Sequence, residues 1–159
     1  MTKTNAMRLL DKAGIAYSTA QYDYDEDDLS GLHAAEGIGL SPEQVFKTLV
    51  TRNDNGGLFV LCIPVDKELD LKKAAAASGN KRLEMIHVKE LLSLTGYIRG
   101  GCSPLGMKKK FPTYIDKTAL SHDRIAVSAG MRGLQLLLAP GDLVSFTGAV
   151  LEDVTKHIE

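Results

Sequence analysis

Lys47 stands in the run Val45-Phe46-Lys47-Thr48-Leu49-Val50, whose other members are apolar or β-branched. Strand alternation puts it on the face of Val45 and Leu49, with Phe46, Thr48 and Val50 on the other. A lysine among apolar neighbours costs desolvation unless it lines a cleft or reaches water. It is therefore either an ammonium that grips an anion near a reacting carbonyl, or a guard on an edge strand. The segment Gly96-Tyr97-Ile98-Arg99-Gly100-Gly101-Cys102-Ser103-Pro104-Leu105-Gly106 holds four glycines in eleven residues. Such a backbone approaches something closely or turns through positive φ. It can gather N–H groups around an oxyanion or phosphate, or form an Ω-loop that only packs. It is neither a Walker loop nor a dinucleotide fingerprint, because the closing Gly-Lys-Ser/Thr and the GxGxxG spacing are both missing. Ser128-Ala129-Gly130-Met131-Arg132-Gly133 offers a serine and an arginine to a ribose or phosphate, or makes a tight hairpin.

Other chemistries lack their residues. His33, His87, His122 and His157 fall in no HxH or HExxH spacing, and Cys62 and Cys102 form no CxxC. Neither a metal site nor a disulfide framework is expected. No GxSxG elbow supports a Ser-His-Asp triad. The acidic run Asp25-Glu26-Asp27-Asp28 lacks the glycine and closing glutamate of a calcium loop and reads as solvated. Net charge is −1, yet residues 1–36 balance to −4 and residues 72–110 to +7. That polarity suits a phosphate-rich partner or is simply a lysine face. No apolar run is long enough to span a bilayer, and the start Met1-Thr2-Lys3-Thr4-Asn5 leads into an amphipathic stretch, so a cytoplasmic protein is expected.

The elements that must position these residues are short. Asn5 to Ala13 reads as a helix capped by Thr4 and closed by Gly14, and Ile15 to Thr19 as a strand. Ser30 or Gly31 starts a helix through Ala35 that ends near Gly37, and Ser41-Pro42-Glu43-Gln44 has the form of a capping box. Val45 to Arg52 and Leu58 to Pro64 make a hairpin around Asn53-Asp54-Asn55-Gly56-Gly57. A helix from Asp70 to Ser78, a strand from Arg82 to His87 and a helix from Val88 to Leu94 precede the glycine loop. Strands at Thr113 to Asp116, Arg124 to Ser128 and Gly133 to Leu138 follow, then a helix opened by Pro140 and ended at Gly148. Without a strict βαβ rhythm, this predicts one α+β domain over residues 1–159 with a mixed or antiparallel sheet.

Taken together, the Phe46-Lys47-Thr48-Leu49 run, Leu69-Asp70-Leu71-Lys72-Lys73, the glycine loop and Val127-Ser128-Ala129-Gly130 with Arg132-Gly133-Leu134 resemble the YbaK/EbsC family. Its members are free-standing deacylases of misacylated tRNA, above all Cys-tRNA(Pro), related to the editing domain of bacterial prolyl-tRNA synthetases. The resemblance covers nearly the whole chain and looks more like the cysteine-specific branch than the alanine-editing one. It implies an α+β fold whose mixed sheet curls, barrel-like, around a pocket for the tRNA acceptor end. Carried over, Lys47 is the essential lysine on the terminal phosphate or ribose. Gly100 and Gly101 give backbone contacts to the ester, and Tyr22, Ser103, Ser128, Gly130 and Arg132 complete the substrate contacts. No cofactor is implied, and prolyl-tRNA synthetase is a candidate partner. In the cysteine branch the substrate's own thiol attacks the ester, so the protein needs no nucleophile. Two residues depart from the pattern: Leu29-Ser30-Gly31 replaces a bulky aromatic, and Gln135 stands where an acidic residue is expected. Beside this reading stand a non-catalytic tRNA- or synthetase-binding module and an alanine-type deacylase that uses water.

Overall fold

The computed structural model describes residues 3–157, so Met1 and Thr2, where the leader-free reading begins, lie outside them. Helix α1 (Asn5–Ala13) starts where Thr4 Oγ1 accepts the Met7 N–H and stops at Gly14, whose φ of 71° closes the last turn. Its apolar stripe buries Ala6, Met7 and Leu10. Strand β1 (Ser18–Gln21) begins later than the alternation from Ile15 predicts, since the Ile15 N–H is spent on the Leu10 carbonyl in closing α1. Helix α2 (Gly31–Ile38), capped by Ser30, runs past Gly37 to Gly39. Gly37 belongs inside it because Tyr22 lies over that turn, where a Cβ would come within 2.6 Å of the tyrosine Cβ. The segment Pro42–Gln44 is a single 3₁₀ turn, and Ser41 makes no side-chain cap, so the expected capping box is absent.

β2 (Phe46–Asn53) and β3 (Leu58–Pro64) form the expected hairpin, with Phe46 opposite Pro64 and Arg52 opposite Leu58. Asn53 Oδ1 fixes its turn by accepting the N–H groups of Asn55 and Gly57. Helix α3 (Leu71–Ala77) is capped by Asp70, β4 (Leu83–Met85) pairs with the far end of β2, and α4 (Val88–Thr95) follows. β5 (Thr113–Asp116) joins β3 in parallel. β6 (Ile125–Met131) and β7 (Leu134–Leu138) make a bulged hairpin to which β1 adds. Helix α5 (Pro140–Thr147) leads to β8 (Val150–Glu152), which lies parallel to β5.

The architecture is α+β, with strand orders β1-β7-β6 and β4-β2-β3-β5-β8. The expected single curled sheet is therefore two sheets, joined by a parallel bridge between Val45 and Ala126 and not closed into a barrel. The main core lies between them, with Leu10, Phe46, Val50, Val60, Ile115, Val127, Leu136 and Leu143 buried together. On the other face of β3, Leu61 and Ile63 pack against Ala74 and Ala75 of α3. Covered on both faces, β3 reads as an unbroken apolar run. No helix among the described residues is long and apolar enough to cross a membrane.

Candidate active site

On the edge of β2 away from β3, β4 pairs only with Thr51 to Asn53, and the next strand contact is the Val45–Ala126 bridge. Between them the edge from Phe46 to Leu49 has no strand beside it, and a cavity of about 430 Å³ opens there. The two sheets diverge at this gap, so the fold itself makes the hole.

Four of the expected site residues line the cavity, Tyr22, Lys47, Gly100 and Ser128, and the departing Gln135 lines it with them. Lys47 is half-buried, and burial draws its pKa below the usual lysine value against the pull of the Glu68 and Asp66 carboxylates. Glu68 is itself paired with Lys156 at 3.4 Å. Tyr22 is fixed by its N–H bond to the Gly133 carbonyl (3.0 Å) and an edge contact to His33. Ser128 Oγ accepts the Gly130 N–H at 3.1 Å and is otherwise turned to the cavity wall.

In the glycine loop, Gly100 alone of the two central glycines reaches the cavity. The Gly101 N–H donates to the Ile98 carbonyl at 3.0 Å, closing a turn that needs positive φ at Gly100, which has φ 86°. The Gly101 amide is thus already used, whereas the Gly100 N–H has no partner among the described residues. Gly101 serves the close approach of the loop to the β6–β7 hairpin, because a Cβ there would stand 3.1 Å from the Arg132 nitrogen and Met131 backbone. Ser103 is fully buried and its Oγ accepts the Leu105 N–H at 3.2 Å. Gly130, at φ 104°, admits the Tyr97 ring, which bonds the Leu105 carbonyl. Arg132 Nε donates to the Arg99 carbonyl at 2.8 Å and faces a second cavity of about 750 Å³ that shares Tyr22. Gly101, Ser103, Gly130 and Arg132 therefore dock the loop and stand outside the wall of the first cavity.

Other residues line the cavity as well. Leu29 packs against Gly100, Ser30 caps α2, and Gly31 lets that helix start against Val65, where a Cβ would clash at 2.2 Å. The departure at Leu29-Ser30-Gly31 is thus a wall element. Met85, Val88 and Leu91 supply apolar surface and Arg99 a second cation; the exposed Met85 and Val88 at the β4–α4 junction were the available signal. Cys102 also lines the cavity, but burial pushes its thiol up to about 12, so it stays protonated. No histidine, aspartate or glutamate among the described residues lines the cavity. Among the described residues, no group of three His, Cys, Asp or Glu side chains could hold a metal ion.

Comparisons with known proteins show the family and the fold. The profile described as "Aminoacyl-tRNA editing domain" matches residues 31–146, which includes every wall of the cavity except Tyr22, Leu29 and Ser30. A protein of Enterococcus faecalis (strain ATCC 700802 / V583) named "Putative Cys-tRNA(Pro)/Cys-tRNA(Cys) deacylase EbsC" is 48% identical over 96% of this chain and 93% of its own length. The crystal structure of the hypothetical protein APE2540 superposes with TM-score 0.85 at 26% identity, covering 94% of this chain and 97% of that one. A solved structure described as "a putative trans-editing enzyme for prolyl tRNA synthetase" gives TM-score 0.82 at 23% identity over 98% of this chain and 100% of its own, a likeness of fold. With the profile over most of the chain and a near full-length relative at 48% identity, the chain belongs to the aminoacyl-tRNA editing domain family.

Proposed function

We propose that this editing-domain protein removes cysteine from mischarged Cys-tRNA(Pro), by attack of the substrate's own thiol on the ester. The observation that carries this reading is the chemistry of the cavity wall: two cations, neutral hydroxyls and amides, and no carboxylate, imidazole or ionised thiol. It offers no carboxylate, imidazole or thiolate to deprotonate a water or to serve as an activated nucleophile. It is equipped to hold an anion and to position an acyl group.

In the proposed reaction Lys47, assisted by Arg99, holds the terminal phosphate or ribose. The cysteinyl sulfur forms a bond to the carbonyl carbon, the ester C–O bond breaks, and the thiol proton ends on the departing ribose oxygen. The products are a cyclic thiolactone and uncharged tRNA. Held sulfur and carbonyl react as one molecule, and the free Gly100 N–H, with the nearby ammonium, stabilises the oxyanion as it develops. The name of the Enterococcus faecalis relative supports this substrate. A net charge of −1 gives the chain little hold on tRNA alone, which favours delivery by prolyl-tRNA synthetase as a partner.

The test compares Cys-tRNA(Pro) with Ser-tRNA(Pro), in which a hydroxyl replaces the thiol. The proposal expects thiolactone from the first and deacylation of the second slower by about 100-fold or more. Equal rates, or loss of Ala-tRNA(Pro) as fast as Cys-tRNA(Pro), would establish a water route instead.

A further inference from the structure

Gln135 lies on β7 directly opposite Ser128 of β6. It is 6% exposed, lines the cavity between the two sheets, and stands alone as a polar side chain in Leu134–Leu138. Its Oε1 is the one buried side-chain polar atom without a hydrogen-bond partner among the described residues. A buried acceptor left unpaired is destabilising, and leucine or methionine would fill the space without that cost. An amide here makes physical sense if something that enters the cavity brings a donor.

The rest of the wall narrows what the donor is. Lys47 and Arg99, both more exposed than Gln135, draw the anionic part of a ligand towards themselves. The opposite end of that ligand then reaches the deeper wall, where Gln135 and Ser128 face each other. Ser128 Oγ already accepts the Gly130 N–H, and Ser30 Oγ accepts the His33 N–H. With no carboxylate in the lining, Gln135 Oε1 is the free carbonyl-type acceptor for a positively charged or neutral N–H group.

We propose that Gln135 is a specificity-determining residue, whose side-chain oxygen accepts a hydrogen bond from the α-amino group of the bound aminoacyl ester. This rests on the reading of the cavity as an editing pocket. It assigns the deep end of that pocket to the amino acid's amine, and makes a free α-amine, rather than the acyl chain alone, the feature selected there. The neutral amide takes the amine in either protonation state and adds no fixed negative charge beside the reacting carbonyl.

The experiment uses Cys-tRNA(Pro) and 3-mercaptopropionyl-tRNA(Pro), which keeps the thiol and lacks the α-amine. Each is offered to wild type, Gln135→Leu and the more nearly isosteric Gln135→Met. Wild type is expected to favour the cysteinyl substrate by about tenfold in KM, as one buried hydrogen bond provides. Both variants should lose that preference through a higher KM for the cysteinyl substrate, with a melting temperature no lower than wild type. A preference that survives both substitutions, or that is absent in wild type, overturns the assignment while leaving editing intact. A lowered melting temperature with unaltered KM would make Gln135 a structural residue and overturn it too. If wild type cleaves neither ester, the editing reading fails and this one falls with it.

Discussion

Lys47 owes its place in the cavity wall to an unpaired strand edge. Alternation set two possibilities beside each other, a pocket ammonium and a guard on an edge strand, and the gap between β4 and the Val45–Ala126 bridge satisfies both descriptions at once. Because burial holds its pKa below that of a free lysine, the charged form is lost at lower pH than usual. The alkaline fall in deacylation should therefore begin below the ordinary lysine value of 10.5, and a pH–rate profile of kcat/KM reads it. A fall only above that value would separate the ammonium from catalysis. Ser103 makes a contrasting case. Its hydroxyl is spent inside the loop, so Ser103→Ala should cost stability by about 1 kcal/mol while leaving turnover within about twofold. Denaturant unfolding and steady-state rates measured side by side would show whether the two effects separate this way. Lys47 could be picked out of the sequence because a charged residue in an apolar strand is conspicuous, and Ser128 because it opens a run with two glycines and an arginine. Which glycine of the loop keeps a free N–H could not, since that depends on the turn closed by Gly101 and Ile98.

At the scale of elements, the glycine loop is held down by the β6–β7 hairpin. Tyr97 sits over Gly130, Gly101 meets the Met131–Arg132 backbone, and Arg132 returns a hydrogen bond to Arg99. Gly101→Ala places a methyl 3.1 Å from backbone atoms that cannot turn aside, and should destabilise by about 1–3 kcal/mol. It should also weaken turnover by shifting Gly100, which a substitution at Gly141, with nothing near its Cβ and no positive φ, would not do. The C-terminal segment is fastened differently. Asp153 accepts bonds from Lys73 (3.1 Å) and His157 (2.9 Å), chiefly His157, and its carboxyl is held down to about 2. A depressed carboxylate contributes fully above its unfolded value of 3.8 and loses that contribution as pH falls towards about 2. Asp153→Asn should therefore lower the melting temperature modestly at neutral pH and flatten its decline on the acid side, as partly exposed ion pairs do. Helices whose ends carry local signals, such as Thr4 and Gly14 around α1 or Asp70 before α3, could be read in advance. Strand β8 could not: its three residues are extended because β5 lies beside them, and no alternation announces that.

For the whole molecule, the two-sheet arrangement was hidden for a similar reason. Pairing partners far apart in the chain, β1 with β7 and β5 with β8, decide where one sheet ends and the other begins. The charge polarity, by contrast, is a property of the sequence alone. Lys108, Lys109 and Lys110 are exposed beside the glycine loop, with no acidic residue from Leu91 to Ile115. If this face carries tRNA, Lys109→Ala and Lys110→Ala should each weaken binding and reduce the slope of log K against log salt by about 1, without altering amino-acid choice. An unchanged slope would place the tRNA elsewhere. In the proposed function the cavity beside Lys47 deacylates Cys-tRNA(Pro) through the substrate's own thiol, with no carboxylate, imidazole or thiolate in its wall. Its most direct test is single-turnover deacylation of Cys-tRNA(Pro) by wild type and by Lys47→Ala, after equal melting temperatures establish that both are folded. Rapid loss of the cysteinyl ester is expected with wild type, and a rate lower by about 100-fold or more with Lys47→Ala. Equal rates for the two proteins, or no turnover by wild type, would contradict it.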